Sequence, residues 1–188
     1  MSGQLDRAFQ SDQYLFRKKV LKLVGGAFHV YDPHENLLMF AEQKGFKLKE
    51  DFRIYADESK TREILTIKTP QILDLGATYY VADPATGESV GALRRKFLKS
   101  FLKDTWEFLS PAGEVIGEMS EKNIVMALIS RYINLIPQQY VIKTDQQMVE
   151  AELNMRFNPL ILKYDMRVLM PTPTIDRRLM VAGAVMLA

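Results

Sequence analysis

Two patterns of apolar and polar positions run along this 188-residue chain. The first is strict alternation, which marks strands with one face buried and the other wet. It is clearest late in the chain. Val149, Ala151, Leu153, Met155 and Phe157 share one face, and Leu160, Leu162, Tyr164, Met166, Val168 and Met170 share another. The second pattern is Asp176–Ala188, DRRLMVAGAVMLA, apolar on every side after its first three residues. A helix with no wet face must be buried completely. At ~1.5 Å rise per residue this stretch reaches only about 20 Å, short of a ~30 Å hydrocarbon layer. The pattern predicts a plug inside the protein.

Upstream, one unit recurs: an aromatic residue in a short apolar run, a polar turn, then a second apolar run. The aromatic slot is filled by Phe28, Phe52, Tyr79, Trp106 and Tyr140, at spacings of 24, 27, 27 and 34 residues. Asp32-Pro33, Asp83-Pro84 and Pro111-Ala112-Gly113 are turn formers, so each unit reads as a β-hairpin. A first strand at Tyr14–Leu23, five hairpins and a last strand at Leu160–Met170 give about twelve strands. A sheet of that size can close and lose its edges, but its bore is too wide for strand side chains alone to fill.

The expected fold is therefore mainly β: a twelve-stranded antiparallel closed barrel around the buried C-terminal helix. It is one domain over 1–188, with a flexible start at 1–13 and the central helix at 176–188. Leu179, Met180, Val181, Ala184, Val185 and Leu187 are its expected core residues, with Met186 as further bulk, while Ala182 and Gly183 keep it slim. Thr174 or Asp176 can cap it. Arg177 and Arg178 stand where the helix dipole disfavours cations, so they are expected to point out of the barrel mouth and pair with carboxylates. A second helix is predicted over Ser120–Leu135, capped by Ser120 and packed on the barrel rim.

Composition narrows the function classes. Lys and Arg total 25 against 23 Asp and Glu, a net charge of +2, which does not suggest a broad DNA-binding surface. With no cysteine there are no disulfides, thiolate metal sites or cysteine nucleophiles. The polar start MSGQLDRAFQSDQY predicts no signal peptide, and no apolar run reaches 18 residues, so no transmembrane segment is predicted. A cytoplasmic protein is expected. His29 in a strand and His34 in the turn DPHEN lack a recognised ligand spacing, so no metal or cofactor is predicted. Asp57-Glu58 and Asp145 read as turn residues. No phosphate loop, nucleophile elbow or paired-carboxylate motif points to an enzyme.

The densest basic cluster is Arg94, Arg95, Lys96, Lys99 and Lys103, interleaved with Phe97, Leu98, Phe101 and Leu102. Cations beside apolar side chains suit an anionic membrane surface, although a solvated hairpin has the same composition. Arg17, Lys18, Lys19 and Lys22 form a second cluster, and Lys44, Lys47 and Lys49 a third; alternating lysines on a strand usually form a wet face.

Three stretches carry a family resemblance: FRIYADES at Phe52, YYVADPATGESVGALRR at Tyr79, and IDRRLMVAGAVMLA at Ile175. With the hairpin repeat, they resemble the Tubby C-terminal-like superfamily, most of all its LURP-one-related and phospholipid scramblase branch. The resemblance implies a twelve-stranded barrel around a buried C-terminal helix. It also implies non-catalytic binding of anionic, phosphoinositide-like headgroups at the inner membrane face. Gly91-Ala92-Leu93-Arg94 is similar to the Gly-Lys-Leu-Arg of the tubby lipid site, with Ala92 at the lysine position. Arg94 and Arg95 are the expected main contacts, with Lys68, Lys96 and Lys99 auxiliary. Scramblase-type activity is one alternative, although Met170–Thr174 lacks the acids of the scramblase calcium loop. A scaffold that docks protein partners through 120–135 is the other.

Overall fold

The alternating segments form strands that pair in one continuous order. The computed structural model describes residues 5–19, 27–43, 51–70, 76–96, 105–122, 138–156 and 161–187. The strands are β1 (Gln13–Lys19), β2 (Ala27–Tyr31), β3 (Leu37–Gln43), β4 (Asp51–Tyr55), β5 (Glu63–Lys68) and β6 (Thr78–Ala82). They continue as β7 (Ser89–Lys96), β8 (Thr105–Leu109), β9 (Val115–Glu121), β10 (Gln139–Thr144), β11 (Val149–Arg156) and β12 (Ile161–Val168). Every neighbour is antiparallel, and β12 pairs with β1, closing the expected barrel of twelve. One apolar helix, α1 (Arg177–Met186), follows.

Antiparallel order gives the barrel two different ends. At one, the turn end, the hairpins close through residues 32–36, 56–62, 83–88, 110–114 and 145–148. At the other, the joining end, one hairpin passes to the next. The five aromatic slots hold the second residue of β2, β4, β6, β8 and β10, and all are buried. Strand alternation turns each of them inward, so they line the lumen towards the joining end. α1 comes in from the turn end.

Each hairpin also carries one register shift in the same place. The extra residue is Leu38, Ile64, Val90, Ile116 or Glu150, at spacings of 26, 26, 26 and 34 residues. Such bulges increase strand twist and bend, which helps a sheet of this size to close. The residue after the bulge is small in three hairpins: Gly91, Gly117 and Ala151. These positions make room for the chain leading into the plug. A Cβ on Gly91 would lie 2.3 Å from the Leu109 carbonyl and 3.0 Å from Leu179, and one on Gly117 would lie 2.6 Å from Ile175.

Asp176 caps α1 by accepting from the Arg178 backbone N–H at 2.8 Å. Leu179, Met180, Val181, Ala182, Ala184 and Val185 are at most 1% exposed, whereas Leu187 and Met186 are only partly buried, at the open last turn. Full burial of Leu187 is therefore corrected.

Four further expectations are corrected. Residues Leu5–Asp12 are ordered against the barrel: Arg7–Phe9 form a 3-10 turn in contact with α1, and Phe9 is 1% exposed. An aromatic side chain outweighed the polar composition there. Ser120 and Glu121 do not start a helix but end β9, opposite Val141 and Tyr140; residues 123–135 lie outside the described residues. Met170 is exposed beyond the end of β12, because the inward alternation stops at Val168. Arg177 and Arg178 pair with carboxylates as expected, but they are tucked into the rim rather than pointing out of it, each side chain 11% exposed.

Candidate functional site

A strand alternates its faces, and that separates the two arginines the sequence put together. Arg94 stands on the outer face of β7, its Nη2 2.7 Å from Glu107 Oε2 on β8. Lys96, on the same face, approaches Glu107 Oε1 at 3.2 Å. Arg95 faces the lumen side, its guanidinium 5.7 Å from the Trp106 ring centroid. Lys68 ends β5 opposite Tyr80, and Arg94 lies opposite Thr78, so one strand separates them, roughly 10 Å across two ladder spacings. The structure thus gathers Lys68, Arg94, Arg95 and Lys96 at the joining end of β5–β7, but not on one surface. Lys99 and Lys103 lie outside the described residues, as do Lys22, Lys44, Lys47 and Lys49.

Glu107 organises this group. Burial pushes its carboxyl up, yet hydrogen bonds and charge from Arg94 and Lys96 outweigh burial and hold it below the usual carboxylate range. A depressed carboxyl contributes stability that is fully present above its unfolded value of ~4.3 and is lost as pH falls through the folded value. Glu107→Gln is expected to cost ~0.5–1 kcal/mol at neutral pH, since Arg94 is half exposed and screened. Urea denaturation at neutral pH and at about pH 3.5 checks this, because the difference between variant and parent shrinks in acid.

The second basic cluster is also divided by alternation. Arg17 faces outward and pairs with Glu35 at 2.5 Å, while Lys18 faces inward with its ammonium 4.8 Å from the Phe28 ring centroid. Burial lowers the Lys18 amine. Lys18 and Arg95 therefore each sit over a ring of the aromatic girdle, inside the joining end. On the outer face, Arg156, Lys163 and Arg17 stand directly opposite one another across β11, β12 and β1. Arg156 pairs with Asp165. The sequence missed Arg156 and Lys163 as members of a basic group, because they are far from Arg17 along the chain and meet only by sheet register.

These positions add up to a separation of charge along the barrel axis. The turn-end rim carries Asp6, Asp12, Asp32, Glu35, Asp57, Glu58, Glu63, Asp83, Glu88, Glu114, Asp145, Glu150 and Asp176 against Arg7, Lys60, Arg62, Arg167, Arg177 and Arg178. The joining end carries Lys18, Lys68, Arg94, Arg95, Lys96, Lys122, Arg156 and Lys163 against Glu42, Asp51, Glu107 and Glu121. Near-neutral composition hid this polarity. Neither histidine lies at the joining-end group. His29 faces outward on β2, its Nε2 2.5 Å from Glu58 Oε1, and the His34 N–H donates to Asp32 within a turn.

Among the described residues no helix is long and apolar enough to cross a membrane. The sequence matches the model of the LURP-one-related family over residues 38–188, from β3 through α1. No curated protein matches it. The match covers most of the chain, including the C-terminal helix, and this chain belongs to the LURP-one-related family.

Proposed function

We propose that this protein is a non-catalytic binder of anionic phospholipid headgroups, docking its joining end on the inner membrane face. Axial charge separation is the observation that carries this reading. An anionic surface attracts the joining end and repels the turn rim, so the field orients the molecule before contact. Each cation brought near such a surface contributes ~1 kcal/mol, and the joining end offers several at one level. Lys68, Arg95 and Lys96 are the contacts on β5 and β7, and Lys163 and Arg156 extend the surface round the barrel. Arg94 is better assigned to holding Glu107 than to lipid. The resemblance to Tubby-like barrels supports the same reading, with phosphoinositide-like headgroups as ligands.

Vesicle co-sedimentation tests it. Vesicles of phosphatidylcholine alone should recover little protein. Vesicles that also contain phosphatidylserine and phosphatidylinositol bisphosphate should recover most of it, less so as salt shortens the Debye length. Lys68→Glu/Lys96→Glu should weaken the acidic-vesicle binding by more than about tenfold. Equal recovery on both kinds of vesicle, or a folded double variant that binds like the parent, rejects the reading.

A further inference from the structure

The turn rim has an unexplained feature of its own. The position just before the bulge is Leu37 in β3, Val115 in β9 and Val149 in β11, but Glu63 in β5 and Ser89 in β7. Glu63 and Ser89 lead into the same bulge, so barrel closure does not require an aliphatic side chain there. In strand order these apolar positions fall on β9, β11 and β3, within one arc that runs from β8 through β12 to β1 and β3, eight of the twelve strands. Six large hydrophobic side chains are exposed among the described residues, and five of them belong to this arc: Leu37, Val115, Met148, Leu169 and Met170. The sixth, Tyr80, is on the outer wall of β6. The arc's turns, 32–36, 110–114 and 145–148, contribute Asp32, Glu35, Glu114 and Asp145 and neither lysine nor arginine.

Arg167 near the end of β12 and Arg177 beside Pro171 are cations of the same arc, but with Asp12 its acids outnumber them. Scattered exposed apolar residues need no explanation, but a set gathered on one arc with a net charge marks an interaction surface. An anionic membrane is a poor occupant, because those acids would be driven against its headgroups. Charge complementarity selects a different one. We propose that this arc docks a protein segment that presents lysine or arginine beside aliphatic side chains, a basic amphipathic helix being the simplest form. With the joining end on lipid, the segment would be held on the side of the barrel facing away from the membrane. The proposal stands independently of lipid binding, since it uses the opposite end.

The probe is a labelled synthetic amphipathic helix of leucine and lysine, about five turns long, with a leucine/glutamate peptide of the same pattern beside it. Fluorescence anisotropy with the full chain should show binding of the lysine peptide only. Val115→Ser/Met148→Ser/Leu169→Ser, which leaves charge unchanged, should weaken it by about tenfold or more. Glu114→Lys/Asp145→Asn, confined to exposed turns, should weaken it by about tenfold while leaving the apolar arc intact. Equal binding of both peptides overturns the proposal, as does parent-like affinity in either folded variant. A concentration-dependent dimer abolished by the serine variant would overturn it too, since the arc would then serve a second copy of the chain.

Discussion

Ending the chain at Ile175 is expected to leave no cooperatively folded protein. The deletion removes Leu179, Met180, Val181 and Val185, each at most 1% exposed, from the centre of the barrel. At ~1.5–3 kcal/mol per buried side chain the loss is about 6–12 kcal/mol, as large as the ~5–15 kcal/mol net stability of a typical domain. Burial measured against an extended chain overstates the transfer, but the emptied bore adds a cavity cost in the other direction. The strands cannot collapse onto one another to refill it, because closure fixes the ladder on both sides of every strand. Circular dichroism during heating should show no sharp transition in the truncated chain. A sharp transition near that of the parent would mean that the helix is an accessory to the barrel rather than its core.

Glu150→Ala is expected to cost ~2–5 kcal/mol, a large effect for one residue outside the helix. Glu150 is 1% exposed and occupies the bulge position that is aliphatic in the other four hairpins. Its two carboxylate oxygens accept from the backbone N–H groups of Thr174 and Ile175, at 2.7 and 2.9 Å, just before α1. Its own carbonyl accepts from the Leu169 N–H at 2.8 Å. One residue thus fixes both arms of the loop that turns the chain from β12 into the lumen. Alanine leaves the buried Ile175 N–H without an acceptor, worth about 1–3 kcal/mol, and the Thr174 N–H, which water can reach, with a smaller loss. Glu150→Gln keeps one acceptor oxygen and should lose about half as much. The discriminating variant is Glu150→Ile, which makes the fifth hairpin resemble the others. Local pattern favours it, yet the loop contacts predict that it destabilises about as much as alanine. Chemical denaturation midpoints at constant m-value measure all three.

Much of the barrel was legible because burial imposes period two on any strand with one wet face. The aromatic slots and turn formers repeated often enough to count strands, and the all-apolar terminus needed an interior wide enough to accept it. Ser120–Leu135 misled for a physical reason. Ser120 and Glu121 satisfy a helix-cap pattern locally, but β10 offers both a backbone partner and β8 offers one to Ser120, and sheet pairing extended β9 through them. Phe9 misled differently: one buried ring anchors a segment whose other side chains are polar.

The candidate site was half legible. Adjacent cations could be found by reading along the chain, and the opposite faces of Arg94 and Arg95 follow from alternation alone. Glu107 as their organising acid does not, because it depends on which strand lies beside β7 and in what register. Glu150 has a faint trace, an acid in the slot of the hairpin repeat that is otherwise aliphatic, but its partners are 24 and 25 residues away in sequence.

By itself, then, the sequence determined what was local: which residues alternate, where the chain turns, and that its last helix has no face fit for water. The tertiary structure decided what depends on strand pairing and closure. Antiparallel pairing in sequential order places every hairpin turn at one end and every hairpin-to-hairpin passage at the other, and closure wraps each end into a rim. That sorting converts a nearly neutral chain into a barrel with an acidic, partly apolar rim and a basic opposite end. Charge along a sequence has no direction in space until the ends of the strands are fixed.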